Sequence, residues 1–185
     1  MKIIKHKGTE NIITERLQLR KYSVNDAEDI YRNYATDERV TKFLTWQPYS
    51  NIESLREFIL TQVSNYSMSV YNWVIEYKGQ VVGSISVTSS DEKNESCEIG
   101  YCIGYEFWNL GIMTEAMSAI LKFLFCDVGY HRIYAKHDVD NPASGKVMKK
   151  CNMVYEGRLR EHYLRHDGNY SDSLIYSILK SEFNP

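Results

Sequence analysis

The chain has 185 residues, enough for one domain with a sizeable core, and residues 1–185 are read here as a single unit. With 43% apolar and 25% charged residues and a net charge of −2, it offers no electrostatic case for nucleic acid or an anionic membrane surface. No apolar run is long enough to span a bilayer and the first eight residues lack the apolar stretch of a secretory signal, so a cytoplasmic protein is expected.

Residues 17–21 read as a first strand. Asn25 or Asp26 can cap a helix running to about residue 35, with Ala27, Ile30, Tyr31 and Tyr34 on one face. Residues 36–50 are irregular and carry Phe43, Trp46 and Tyr49. Asn51 caps a second helix over 52–66, with Leu55, Phe58, Ile59 and Val63 at helical spacing. A β-hairpin follows over 71–77 and 80–88, turning at Lys78-Gly79, and a third antiparallel strand covers 95–104. Residues 113–126 form a helix with a wide apolar face (Met117, Ile120, Leu121, Leu124). Arg132–Asp138 is a strand. Pro142–Lys150 is a helix with Asn141 at its N-cap, proline in its first turn and two lysines in its last. Asn152 is suited to stop it in the left-handed conformation. Two last strands cover 153–160 and 173–179, separated by a polar loop. The order β-αα-βββ-α-β-α-ββ gives an α/β protein with a mixed sheet.

The stretch Trp108-Asn109-Leu110-Gly111-Ile112-Met113-Thr114-Glu115-Ala116 joins the third strand of the meander to the most apolar helix. Such a loop is either an ordinary connection or an anion site. The first N–H groups of a helix lack internal acceptors and sit at the positive end of its dipole, and Gly111 allows close backbone approach. With one glycine it is not a dinucleotide fingerprint, and without Gly-Lys-Ser/Thr it is not a P-loop. In the strand before it, Cys97, Ile99, Tyr101 and Ile103 share one face, and Ser96, Glu98, Gly100, Cys102 and Gly104 the other. Glu98 is thus a carboxylate among small residues, either a solvated strand glutamate or a general base.

These segments together resemble the GNAT N-acetyltransferases, most closely the ribosomal-protein alanine acetyltransferase branch. The resemblance covers roughly residues 14–183. It runs through Thr14-Glu15-Arg16-Leu17 with Leu19-Arg20, Glu98-Ile99-Gly100-Tyr101, the 108–116 loop, Asn141-Pro142-Ala143-Ser144, and Asp172 with Tyr176-Ser177-Ile178. Asn109, Leu110 and Met113 depart from the branch, which has glycine, a polar residue and a small residue there. Backbone amides would do the cradling, so Leu110 is tolerable and Met113 is expected to point away from the pyrophosphate.

The resemblance implies a GNAT fold whose central strands splay into a V entered by acetyl-CoA. It implies cofactor contacts at Tyr101, Cys102, Ile103, Leu110, Gly111, Ile112, Met113, Thr114, Asn141 and Ser144, with Glu98 and Ser144 catalytic. A primary amine with a pKa near ~10 is mostly protonated at neutral pH, so a base is needed, whereas a thiol of pKa about 8.5 leaves with little help. The acceptor is expected to be a protein or peptide N-terminus or an amino-acid-like amine, flanked by residues 41–49 and 158–172. A polyamine or antibiotic is the alternative, and a non-catalytic acyl-CoA-binding module the alternative of another class. Neither nucleic acid nor membrane is expected as a partner, and a homodimer is allowed.

No metal is expected. His162 and His166 lack a third ligand nearby. Asp138-Val139-Asp140 opens like a calcium loop, but Ala143 and Lys149 stand where its glycine and bidentate glutamate belong. Cys97, Cys102, Cys126 and Cys151 form no Cys-x-x-Cys pair and read as reduced packing residues.

Overall fold

A computed structural model describes residues 4–184. Eight strands form one sheet in the order β1-β2-β3-β4-β5-β6-β8-β7, with bounds Ile12–Ile13, Leu17–Arg20, Asn72–Tyr77, Gln80–Asp91, Ser96–Ile103, Arg132–Asp138, Val154–Leu164 and Tyr170–Leu179 for β1 to β8. Every neighbouring pair is antiparallel except β5 and β6. The helices are α1 (Ala27–Ile30), α2 (Glu38–Thr41), α3 (Ile52–Ser64), α4 (Ile112–Lys122) and α5 (Pro142–Lys150). The expected order holds, with the short β1 and α2 added.

Alternation along the strands divides the core between the two sheet faces. Trp73 and Ile75 of β3 and Cys97 and Ile99 of β5 join Ile112, Met117, Ile120 and Met148 of α4 and α5 in the larger cluster. Val74 of β3 faces the other way and joins Ile30, Tyr34, Leu55 and Ile59 beneath α1 and α3. The β3–β4 turn places Lys78 and Gly79 at φ 52° and 74°, the two positive values a two-residue hairpin requires.

Several boundaries differ from the sequence reading. The first helix is capped by Ser23, whose side chain accepts from the Asn25 amide while Asp26 accepts from the Ser23 amide. A Ser-x-x-Asp capping box thus starts the helix earlier than Asn25 or Asp26 would. The stretch then widens into a π-helical turn over Tyr31–Ala35. α3 stops at Ser64, with Leu55 and Ile59 buried and Phe58 and Val63 partly exposed. α4 starts one residue early and continues as a π-helical turn, Phe123–Val128, ended by Gly129 at φ 101°. The expected polar loop at 161–172 is mostly strand, because β7 and β8 pair from Val154↔Ser177 out to Leu164↔Tyr170 through two register shifts.

The feature that positions the site is the parallel β5–β6 contact. It lasts three rungs, from Ser96↔Arg132 to Glu98↔Tyr134. Beyond it β5 runs on to Ile103 and β6 to Asp138 without pairing to each other, and this divergence is the expected V.

Candidate active site

The inner edge of the V carries backbone donors. The Gly104 amide donates to the Val82 carbonyl of β4 at 2.9 Å, so strand alternation turns the Cys102 amide toward β4 and the Tyr101 and Ile103 amides toward the opening. The Ile103 carbonyl, on the same edge, accepts from the Trp108 indole at 2.9 Å. That bond fixes where the chain turns out of β5 into the loop.

Two left-handed residues shape the loop. Asn109 sits at φ 61° and Gly111 at φ 77°. Asparagine is the side chain that best tolerates this region, which explains how it can stand at a glycine position. Gly111 is the N-cap of α4, and the helix starts at Ile112. Met113 is buried in the main core, while Leu110 is exposed. Behind the loop, Glu115 accepts from the Thr14 hydroxyl at 2.6 Å, the Arg16 amide at 3.0 Å and the Arg16 Nε at 2.7 Å. Arg16 Nη1 also donates to the Leu110 carbonyl at 3.0 Å. Burial works to raise the Glu115 carboxyl, but these bonds outweigh it and hold it below the usual range.

α5 forms the opposite wall. The Asn141 side chain accepts from the Ser144 amide at 3.3 Å, the expected N-cap. The Ser144 hydroxyl donates to the Tyr101 hydroxyl at 2.9 Å, and the Tyr101 hydroxyl donates to the Ser144 carbonyl at 2.9 Å. One tyrosine thus ties β5 to α5 across the V. Burial drives the Tyr101 phenol far above its usual range, against the hydrogen bond from Ser144, so it stays protonated. α5 sits close on β6 because position 145 is glycine. A Cβ there would lie 2.5 Å from His137 Nε2 and 3.0 Å from its Cε1. His137 is pinned, its Nδ1 2.8 Å from the Asp138 carbonyl and its ring stacked on Tyr176 at 5.6 Å, and its Nε2 is buried without a hydrogen-bond partner. Burial lowers its pKa, so it remains neutral. Asn152 ends α5 at φ 60°, in the role the sequence suggests.

Between these walls lies a cleft of about 270 Å³, far more than a single water needs. Tyr101, Cys102, Ile103, Gly111, Ile112, Met113, Thr114, Asn141 and Ser144 all line it, and Leu110 does not. Arg39, Lys146 and Lys150 lie on its wall; Arg39 is held by Asp37 in a bidentate pair, while among the described residues Lys146 and Lys150 make no ion pair and no carboxylate lines the cleft. One end is apolar and aromatic, made by Phe43, Leu44, Phe107 and Trp108.

Glu98 lies outside this wall. It occupies the last β5–β6 rung, on the face opposite Tyr101, and its Oε2 pairs with Lys136 Nζ at 3.1 Å. Both side chains are largely buried, at 18% and 24% exposure. The pair crosses the gap where the strands begin to part. Of the segments expected to flank the acceptor, 41–49 contributes Phe43 and Leu44, while Trp46 and Tyr49 pack on the second core. The 158–172 segment lines no part of the cleft, and two of its arginines are engaged: Arg158 with Asp172, Arg165 with Asp138 and Asp140. His162 lies on β7 and His166 in the turn after it, so their spacing does not create a shared helical face. The role of Tyr101 as partner of Ser144, the Lys136 ion pair and the three cleft cations were not legible in the sequence. Each depends on bringing together segments far apart in the chain.

The acetyltransferase (GNAT) domain profile matches residues 16–154. An uncharacterized N-acetyltransferase, p20, of Bacillus licheniformis is 29% identical over 94% of this chain and 98% of its own length. The ribosomal-protein-serine acetyltransferase of Escherichia coli is 24% identical over 91% of this chain and 96% of its own. Among solved structures, the microcin C7 self-immunity acetyltransferase MccE, in complex with acetyl-CoA and AMP, superposes with a TM-score of 0.79 at 26% identity, over 90% of this chain and 93% of that one.

Proposed function

Because the chain belongs to the GNAT acetyltransferase family, we propose that the cleft holds acetyl-CoA with its diphosphate on the Gly111–Thr114 amides and its thioester in the V. The enzyme is an N-acetyltransferase, and the acceptor is read here as the amine of a peptide N-terminus or an amino-acid-like molecule. The observation that carries the cofactor reading is the charge of the cleft: its lining includes the first turn of α4 and two lysines of α5, Lys146 and Lys150, and no carboxylate among the described residues, the environment a diphosphate requires. The MccE structure, which contains acetyl-CoA, supports it by likeness.

In this reading the acceptor nitrogen attacks the thioester carbonyl, the C–N bond forms and the C–S bond breaks. The Tyr101 and Ile103 amides face the developing oxyanion. The nitrogen's proton passes to Glu98, directly or through water. The Ser144 hydroxyl, whose one hydrogen rests on Tyr101 in the free cleft, rotates to donate it to the departing sulfur while Tyr101 keeps its own bond to the Ser144 carbonyl. Cys102, Ile112, Met113, Thr114 and Asn141 line the cofactor channel, and Leu110 contributes only its backbone.

Lys136 bears on the acceptor. Its ammonium neutralises Glu98, so the V offers no net negative charge to hold a polycation, and Lys146 and Lys150 of the cleft repel one, which favours a peptide or amino-acid-like amine over a polyamine. The ribosomal-protein acceptor printed in the name of the E. coli relative agrees with that choice. The test is thiol release from acetyl-CoA against a panel of short peptides, amino acids, aminoglycosides and spermidine. Glu98→Gln, which keeps the shape but cannot take a proton, should reduce turnover roughly 10²–10⁴-fold at neutral pH with CoA affinity retained. The deficit should shrink as rising pH supplies free amine. An unaltered pH–rate profile in the variant would assign the proton to another group.

A further inference from the structure

The Thr14-Glu15-Arg16-Leu17 segment precedes the 108–116 loop by more than ninety residues and contributes nothing to the cleft wall. Yet it makes four hydrogen bonds to the loop that does. Three converge on Glu115 in the first turn of α4, and the fourth runs from Arg16 Nη1 to the Leu110 carbonyl. The last fixes a direction. Leu110 C=O and Gly111 N–H belong to one trans peptide and point opposite ways. Arg16 grips the carbonyl from outside the cleft, so the Gly111 N–H is turned to the other side, toward the cleft that Gly111 lines. A peptide joined to glycine rotates readily, because glycine tolerates both hands of φ. Left alone, this unit could present its carbonyl to the ligand instead of its N–H. Glu115 in turn holds the guanidinium, through Nε, in the orientation that reaches Leu110.

We propose that Arg16 is a positioning residue for the acyl-CoA loop: with Glu115 and Thr14 it locks the Leu110–Gly111 peptide with its N–H facing the diphosphate. This rests on the cofactor reading above. Arg16 touches no part of the ligand in this arrangement; it selects which end of a backbone dipole the ligand meets. A wrong orientation would replace an attraction by a repulsion at a doubly charged group.

Two variants separate this role from simple charge. Arg16→Lys keeps the cation but cannot grip Glu115 and Leu110 together. On charge alone it should bind CoA as the wild type does; as a broken latch it should weaken CoA about 10-fold or more. Glu115→Gln removes a negative charge near the diphosphate, so charge alone predicts tighter CoA, whereas loss of the Arg16 anchor predicts weaker CoA. Calorimetric titration of CoA decides both signs. S-acetylpantetheine, which lacks the diphosphate, supplies the control: its kcat/KM should stay within about twofold of wild type in both variants. Weakened CoA in both variants with acetylpantetheine turnover retained supports the latch. Unchanged CoA binding in Arg16→Lys, tightened binding in Glu115→Gln, or equal losses with CoA and acetylpantetheine would overturn it. A wild-type protein that binds no CoA would sink the cofactor reading itself, and the latch with it.

Discussion

Gly145→Ala sets two effects of known sign against each other. Alanine is the better helix former by about 1 kcal/mol, so on propensity alone the variant should be more stable. Against that, the added Cβ would sit 2.5 Å from His137 Nε2, where contacts under 3.0 Å are essentially never seen. The histidine cannot swing away, since its Nδ1 is tied to the Asp138 carbonyl and its face lies on Tyr176. α5 must instead lift by about 0.9 Å to reach an ordinary contact. Overpacking of this kind costs about 1–3 kcal/mol, leaving a net loss of up to roughly 2 kcal/mol and a melting point lower by up to ~8 °C for a chain of this size. The same lift draws Ser144 from Tyr101, and their 2.9 Å hydrogen bond does not survive a 0.9 Å extension along its axis. Thermal unfolding by circular dichroism and calorimetric titration of acetyl-CoA should therefore both show a loss. In a His137→Ala background Gly145→Ala should be neutral or stabilising, a coupling of about 1 kcal/mol or more. A raised melting point for Gly145→Ala alone, or strict additivity in the double variant, would refute the packing argument.

Gly111→Val forces a β-branched residue to φ 77°, a strain of about 1–2 kcal/mol or a rearranged loop, and should greatly weaken acetyl-CoA binding while the fold survives; calorimetry on the folded variant checks this, and normal affinity would remove the loop from the cofactor site. Ser144→Ala should lower kcat by no more than ~10-fold at neutral pH, because a thiol of pKa about 8.5 is a fair leaving group, and a larger fall in steady-state turnover would mean that the serine does more than protonate. For Asp138, burial acts to raise the carboxyl, but hydrogen bonds from Arg165, Tyr163 and the Asp140 amide outweigh it and hold it at about 2. Its contribution, of order 2 kcal/mol, is therefore fully present above the unfolded value of ~3.9 and lost as pH falls through about 2. Urea unfolding should show Asp138→Asn much less stable than wild type at pH 7, with the gap narrowing toward pH 2.

The parts of the fold with strong periodic signals could be read directly. Arg132–Asp138 and Pro142–Lys150 match their observed bounds, and the Lys78-Gly79 turn and the Asn51 and Asn141 caps stand where the residues place them. The misses share a physical cause. β1 has only two residues, too few for any pattern, and exists because Ile12 and Ile13 find β2. The outer half of the β7–β8 hairpin is polar, so pairing rather than hydrophobic alternation makes it strand. In the site, the loop and α5 residues could be named because each belongs to a local strand–helix or capping arrangement. Tyr101 with Ser144, Glu98 with Lys136, and Arg16 with Leu110 are meetings between distant segments. Leu110 is the one expected cofactor residue outside the cleft wall, because the left-handed turns on either side of it aim its side chain at solvent.

The position of β7 at the end of the sheet has a consequence for the protein in concentrated solution. Its 11 residues pair only with β8, so one long side of the strand offers unclaimed amides and carbonyls beside exposed Val154, Tyr155 and Leu164. A straight strand of that kind would template the stacking of further chains. Two devices oppose this. The register shifts at Tyr155/Gly157 and Leu159/Tyr163, the second with Glu161 at φ 48°, bend the strand so that no long straight stretch is presented. The charges of Arg160 and Glu161, which make no ion pair among the described residues, would have to be stripped of water by an incoming strand. Shelf life and crowding tolerance are thus written into a segment remote from the chemistry: neutralising Arg160 and Glu161 while leaving the bulges intact should bring turbidity at millimolar concentration without altering the melting point of dilute protein.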